Sequence, residues 1–193
     1  MTLRLNGATS GYTEIDAAAV AGSNLVTLPT GTGTMPLMTL ATAQNSTSGT
    51  SIDFTGIPSW VKRITVMFQG VSTNGTSAME VRVGTSSGVV ATGYLSHSGF
   101  IQSSAAGSQV STTGYTMTAQ LAASLLYGNL VITTPGSNVW LASGVLFADA
   151  TTDYSMMSSG TVTLSGTLDR VRITTNNGTD TFDAGSINIL YEG

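Results

Sequence analysis

The sequence predicts an all-β protein, an antiparallel jelly-roll-like β-sandwich preceded by an extended N-terminal arm. Three observations carry that prediction. Thr 32, Ser 24 and Gly 23 together supply 79 of the 193 residues; threonine suits strands, whereas serine and glycine suit turns. From about Ser51 onward, apolar and polar residues alternate with period two. The alternating runs are punctuated by Asn-Gly and Pro-Gly pairs, the residues that turn demands.

Residues 1–48 form the expected arm. Its apolar residues are few, chiefly Tyr12, Ile15, Leu25 and Leu28, set among Gly, Ser, Thr and Ala. The piece from Pro29 to Pro36 has proline at both ends and Gly31 and Gly33 between, which defeats both helix and central strand. Ala17–Ala21 suits at most a short helical turn, and helices that short are marginal alone. Such a segment builds no core and needs a partner surface.

Residues 49–193 form the expected sandwich head, with roughly eight to ten strands. In Val61–Val71, Ile64, Val66 and Phe68 share one face, opposite Arg63, Thr65, Met67 and Gln69. Met79, Val81 and Val83 alternate in the same way, and Asn74-Gly75 between the two runs predicts a hairpin. A second hairpin is expected where Leu130–Ile132 meets Val139–Leu141 across Pro135-Gly136-Ser137-Asn138. Further strands are expected at Val89–Tyr94, Gly114–Thr118, Thr161–Leu164, Leu168–Thr175 and Ile187–Tyr191. Ala119–Tyr127 is ambiguous between helix and strand. Arg63-Ile-Thr before Thr73-Asn-Gly and Arg172-Ile-Thr before Asn176-Asn-Gly look alike. They read as similar geometry at two corners of one sandwich. The expected core is Ile64, Val66, Phe68, Val81, Val83, Leu130, Ile132, Val171, Ile173, Ile187 and Ile189.

Charge narrows the function. Only 8% of residues are charged and the net charge is −4, against about 25% charged in ordinary soluble domains. A basic face for nucleic acid is excluded. No run approaches the roughly 18–20 apolar residues of a spanning helix, and the first residues lack a signal-peptide core, so synthesis and retention in a cytoplasm are expected. Zero cysteines remove thiolate catalysis and Cys-based metal sites.

The remaining chemical candidates read as structure. Gly84-Thr-Ser-Ser-Gly88 matches a nucleophile elbow, but Val89–Thr92 reads as a strand where the elbow needs a helix. His97, the single histidine, follows too closely to serve as its base and reads as a surface residue in a polar loop. Asp149 with Asp153, and Asp180 with Asp183, are too few for a calcium loop and read as turn caps. Trp60 and Tyr154 are candidates for stacking on a sugar ring, whereas Trp140 reads as core. No catalytic residue, metal or cofactor is expected.

Thr50–Thr76 and Leu168–Glu192 resemble the opening and closing of a module in bacteriophage and prophage tail-fibre-like proteins. Ser10–Pro29 is similar to a segment preceding globular tips in fibre proteins of aquatic phages. Together these cover about 72 of the 193 residues; the stretch from about 85 to 165 carries no resemblance. The resemblance implies a virion component with a β-sandwich head, assembled as a homotrimer and contacting other virion proteins of capsid or tail. Tail fibres are usually several times longer, which favours a short fibre or a capsid decoration module. The alternative expectation is a tip that binds a host receptor or surface glycan.

Overall fold

The computed structural model describes residues 3–15, 36–117, 122, 124–151 and 153–193, and every regular element among them is a strand. The chain separates into two units, residues 1–35 and 36–193. In the first, β1 (Leu3–Asn6) and β2 (Tyr12–Ile15) pair antiparallel. Gly11, at φ 75°, supplies the left-handed residue that the connecting loop needs. The Arg4 guanidinium donates to the Glu14 carboxylate at 2.8 Å and lies 4.0 Å over the Tyr12 ring. The expected extended arm therefore begins as a hairpin. Leu25 and Leu28, the Ala17–Ala21 turn and most of the Pro29–Pro36 piece lie outside the described residues.

The second unit holds two antiparallel sheets. The larger has nine strands, and its main path runs β10 (Ala106–Ser111), β9 (Leu95–Gln102), β14 (Tyr154–Thr163), β13 (Val139–Asp149), β12 (Leu125–Gly136), β6 (Arg63–Thr73), β16 (Phe182–Glu192) and β3 (Met38–Leu40). A short β4 (Gln44–Asn45) also pairs with β16. The smaller sheet runs β11 (Tyr115–Met117), β7 (Met79–Thr85), β15 (Arg170–Thr175) and β5 (Ser51–Phe54), with β8 (Gly88–Val89) on β7. Inward side chains of both sheets form one core. All eleven residues expected in that core are buried.

In the outer part of the sandwich, early strands pair with late ones. The strand β6 pairs with the late β16, and the following β7 pairs with the preceding β15. The middle departs from that pattern, because β12, β13 and β14 run as a meander within one sheet. The β12–β13 hairpin forms where expected. Its turn residues Ser137 and Asn138 both have positive φ, 54° and 58°, the geometry that matches the twist of the flanking strands.

Three expectations are corrected. The head begins at Pro36 rather than after residue 48, because β3 and β4 extend the larger sheet by pairing with β16. Asn74-Gly75 does not close a hairpin: β6 and β7 belong to different sheets, and the connection crosses between them. Gly75 lacks the positive φ of a tight hairpin turn; a side chain there would overlap the Asp180 carboxylate. The strand expected over Val89–Tyr94 stops at Val89, and the buried Tyr94 phenol instead accepts a hydrogen bond from the Val83 N–H at 2.8 Å.

Candidate functional site

The two sheets present opposite kinds of surface. The outer face of the smaller sheet collects charge. Arg172 binds Asp53 through two 2.7 Å hydrogen bonds, and Arg170 pairs with Asp169 at 2.8 Å. Arg82 reaches Glu80 at 2.8 Å. Glu80 points away from the core yet is fully buried. Its carboxylate accepts from Ser111 Oγ at 2.5 Å, Thr113 Oγ1 at 2.9 Å and Asn176 Nδ2 at 2.9 Å. Burial pushes the Glu80 pKa up, but the hydrogen bonds from Ser111, Asn176, Arg82 and Thr113 outweigh it and hold the carboxyl below its ordinary value.

The outer face of the larger sheet is almost bare of charge. The charged residues in its nine strands are Arg63, Asp149, Asp183 and Glu192, all at or next to strand ends, and Arg63 pairs with Glu192 at 3.4 Å. The middle is apolar or hydroxylated. Val145 is 61% exposed and stands opposite Met157 on β14, while Phe147 stacks on Tyr127 of β12 at 6.2 Å. Leu95, Ile101 and Val110 continue the apolar surface to the β10 edge, and Leu40 and Met38 do so at the β3 edge. The edge strand β10 carries no charged residue, so nothing in its sequence guards it against pairing with another strand.

Sequence reasoning missed this face. Its signal is present in β13, where Val145 and Phe147 on one parity and Leu146 and Ala148 on the other are all apolar. A strand apolar on both parities presents apolar side chains on both faces of its sheet.

The expected arm contacts fall partly on this description. Tyr12 and Ile15 are 58% and 53% exposed on opposite faces of the β1–β2 hairpin, Ile15 across from the equally open Leu3 and Tyr12 on the face of Arg4. The two stacking candidates part company. Trp60 is half-buried and leans on Tyr191, with ring centroids 5.9 Å apart. Tyr154 is only 4% exposed and packs edge-on against Phe100, so it offers no platform; it lies on the inward parity of β14 with Met156 and Ser158.

The other candidates behave as structure. Gly84–Gly88 is the tight turn between β7 and β8, with strands on both sides. His97 sits on β9, not in a loop, and is exposed on the outer face. Asp153 accepts from the Ala150 N–H at 3.2 Å. Asp180 and Asp183 tie the two Asn-Gly corners together. Asp180 accepts from the Ser77 N–H at 3.0 Å and from Asn177 Nδ2 at 2.6 Å, while Asp183 accepts from the Ser72 hydroxyl. Asn74 and Thr181 exchange two 2.9 Å hydrogen bonds. The similar corners read from the sequence are therefore neighbours in space. Among the described residues, no three His, Asp or Glu side chains converge as metal ligands would.

No protein-family model matches this chain, and neither a curated protein nor a solved structure gives a match. Its surfaces carry the functional argument.

Proposed function

We propose that this protein is a structural component of a bacteriophage virion, an arm-anchored homotrimeric short fibre or capsid decoration module. The observation that supports this reading best is the segregation of charge. Paired charges cluster on the smaller sheet, while the larger sheet offers an uncharged, partly apolar face. At about 16 Å² of sheet per residue, that face covers roughly 1,100 Å², more than the ~800 Å² per partner of a standard interface. Identical copies can meet across it without opposing like charges, although each chain carries a net charge of −4. Leu3, Leu5 and Ile15 share one face of the β1–β2 hairpin and give the first unit its own exposed apolar surface, suited to contact with a neighbouring subunit or another virion protein.

Sedimentation of the purified chain should give three times the 19.7 kDa monomer mass. The double variant Val145→Glu, Met157→Glu places like charges at the centre of the face and should sediment as a folded monomer. A wild-type monomer, or a trimer indifferent to both substitutions, would remove this face from assembly. Deleting residues 1–35, which leaves β3 and β4 in place, should preserve the melting temperature of the head and abolish incorporation into particles. Normal incorporation of that truncation would reduce the first unit to a spacer.

A further inference from the structure

The sequence carries three Asn-Gly pairs, Asn6-Gly7, Asn74-Gly75 and Asn177-Gly178. In such a pair the glycine nitrogen can close a succinimide ring on the asparagine side-chain carbon, because no Cβ hinders its approach. What the fold does with each nitrogen separates the three. The Gly7 N–H donates to the Gly11 carbonyl at 3.0 Å, and the Gly178 N–H to the Thr175 carbonyl at 3.0 Å. The Gly75 N–H makes no hydrogen bond among the described residues.

The side chains differ in the same sense. Asn177 is held at both ends. Its Oδ1 accepts from Thr175 Oγ1 at 2.8 Å and from the Thr179 and Asp180 N–H groups at 3.0 and 3.3 Å, and its Nδ2 donates to Asp180 at 2.6 Å. Asn74 is exposed, and its side chain has one partner among the described residues, the Thr181 N–H, which donates to Oδ1 at 2.9 Å. That donor polarises the side-chain carbonyl and stabilises the charge that gathers on Oδ1 during attack. It leaves Nδ2, the group that must depart, unbonded. A third group completes the arrangement. A side chain on Gly75 would overlap the Asp180 carboxylate, so this base stands directly against the residue that supplies the nitrogen. The Ser77 N–H holds it there at 3.0 Å. Gly178 has open space in the same position, and Gly7 has the Ser10 carbonyl.

We infer that Asn74 is a site of spontaneous deamidation, with Gly75 as nucleophile, the Thr181 N–H on the developing oxyanion and Asp180 as proton acceptor. The Gly75 nitrogen bonds to Asn74 Cγ and passes its proton to Asp180. The Cγ–Nδ2 bond then breaks, and the amide nitrogen takes that proton and leaves as ammonia. Water opens the succinimide at either carbonyl, leaving aspartate or isoaspartate in place of Asn74. Either product sets a new negative charge beside Asp180. Isoaspartate also routes the backbone through an extra carbon, which misaligns the two 2.9 Å bonds joining Asn74 and Thr181. The change runs one way and marks the age of each copy. It does not rest on the assembly role proposed above.

The test is incubation of the purified full-length chain in neutral buffer, followed by proteolysis and peptide mass spectrometry that locates each lost amide. Asn74 should convert ahead of Asn6 and Asn177, and should yield both aspartate and isoaspartate. Asp180→Asn keeps an acceptor for the Ser77 N–H but removes the base, and should slow the loss at Asn74 about tenfold or more. A corner merely loosened by that substitution would react faster, not slower, and the wild-type ranking needs no variant. Three results would overturn the inference: Asn6 or Asn177 losing its amide as fast as Asn74; aspartate without isoaspartate, so that water rather than Gly75 attacks; or an Asp180→Asn chain that converts at the wild-type rate or above it.

Discussion

Replacing Glu80 with alanine should lower the unfolding free energy by about 3–5 kcal/mol, the range found when one partner of a buried ion pair is removed. The Arg82 guanidinium, the Asn176 amide and the Ser111 and Thr113 hydroxyls all converge on this carboxylate. Without it they keep their desolvation cost and lose their acceptor. In a chain of this size the melting temperature should fall by about 10 °C. The same residue sets an acid limit. Its folded pKa lies below the ordinary carboxylate value, so its contribution is complete above the unfolded pKa, about 4.3. That contribution fades as the pH drops through the lower folded value. Stability of the wild type should therefore decline more steeply on acidification than that of Glu80→Gln, and the gap between them should narrow toward low pH. Parallel pH profiles would show that Glu80 gains nothing from its ionised form.

Gly185→Ala should cost about 3 kcal/mol or more, through backbone strain and collision together. Gly185 has φ 87°, and a methyl there would overlap the Gly70 carbonyl and sit 2.5 Å from the Gln69 carbonyl oxygen. These oxygens belong to the neighbouring strand β6, at the point where the β16 register shifts, so no flexible side chain can yield. Gly178→Ala is the control. It has a similar φ of 69° with open space around it, and should cost only about 1 kcal/mol. Urea titration should separate the two midpoints at unchanged slope. Equal losses would mean that the collision is relieved by movement of β6.

Much of the fold was legible because period-two alternation reports the inward parity directly. Ile64, Val66 and Phe68, or Ile187 and Ile189, need no knowledge of their partners to be placed inside. Partnering itself was not legible. The runs flanking Asn74-Gly75 alternate as hairpin strands would, yet Gly75 is there for the approach of Asp180, a residue more than a hundred positions away. Tyr154 was misplaced because aromatic character was weighed over its parity with Met156. The short β3 and β4 became visible only through β16, since two or three residues carry no period of their own. The outer face escaped because its apolar residues blur the very alternation used to find the core.

The pairing of β6 with β16 also governs how the protein is made. Ser72 and Asp183, joined across that pair, are 111 residues apart, and the larger sheet is continuous only when both strands are present. A ribosome that has released β6 must deliver β16 before β6 gains its second neighbour. Contacts this distant in sequence make folding slow, because the chain closes long loops before their contacts repay the lost entropy. Through that interval the uncharged strands of the larger sheet are exposed together with their unpaired edges, a state prone to aggregation. Chaperone supply and growth temperature should therefore set the yield of usable protein more than the stability of the finished head does.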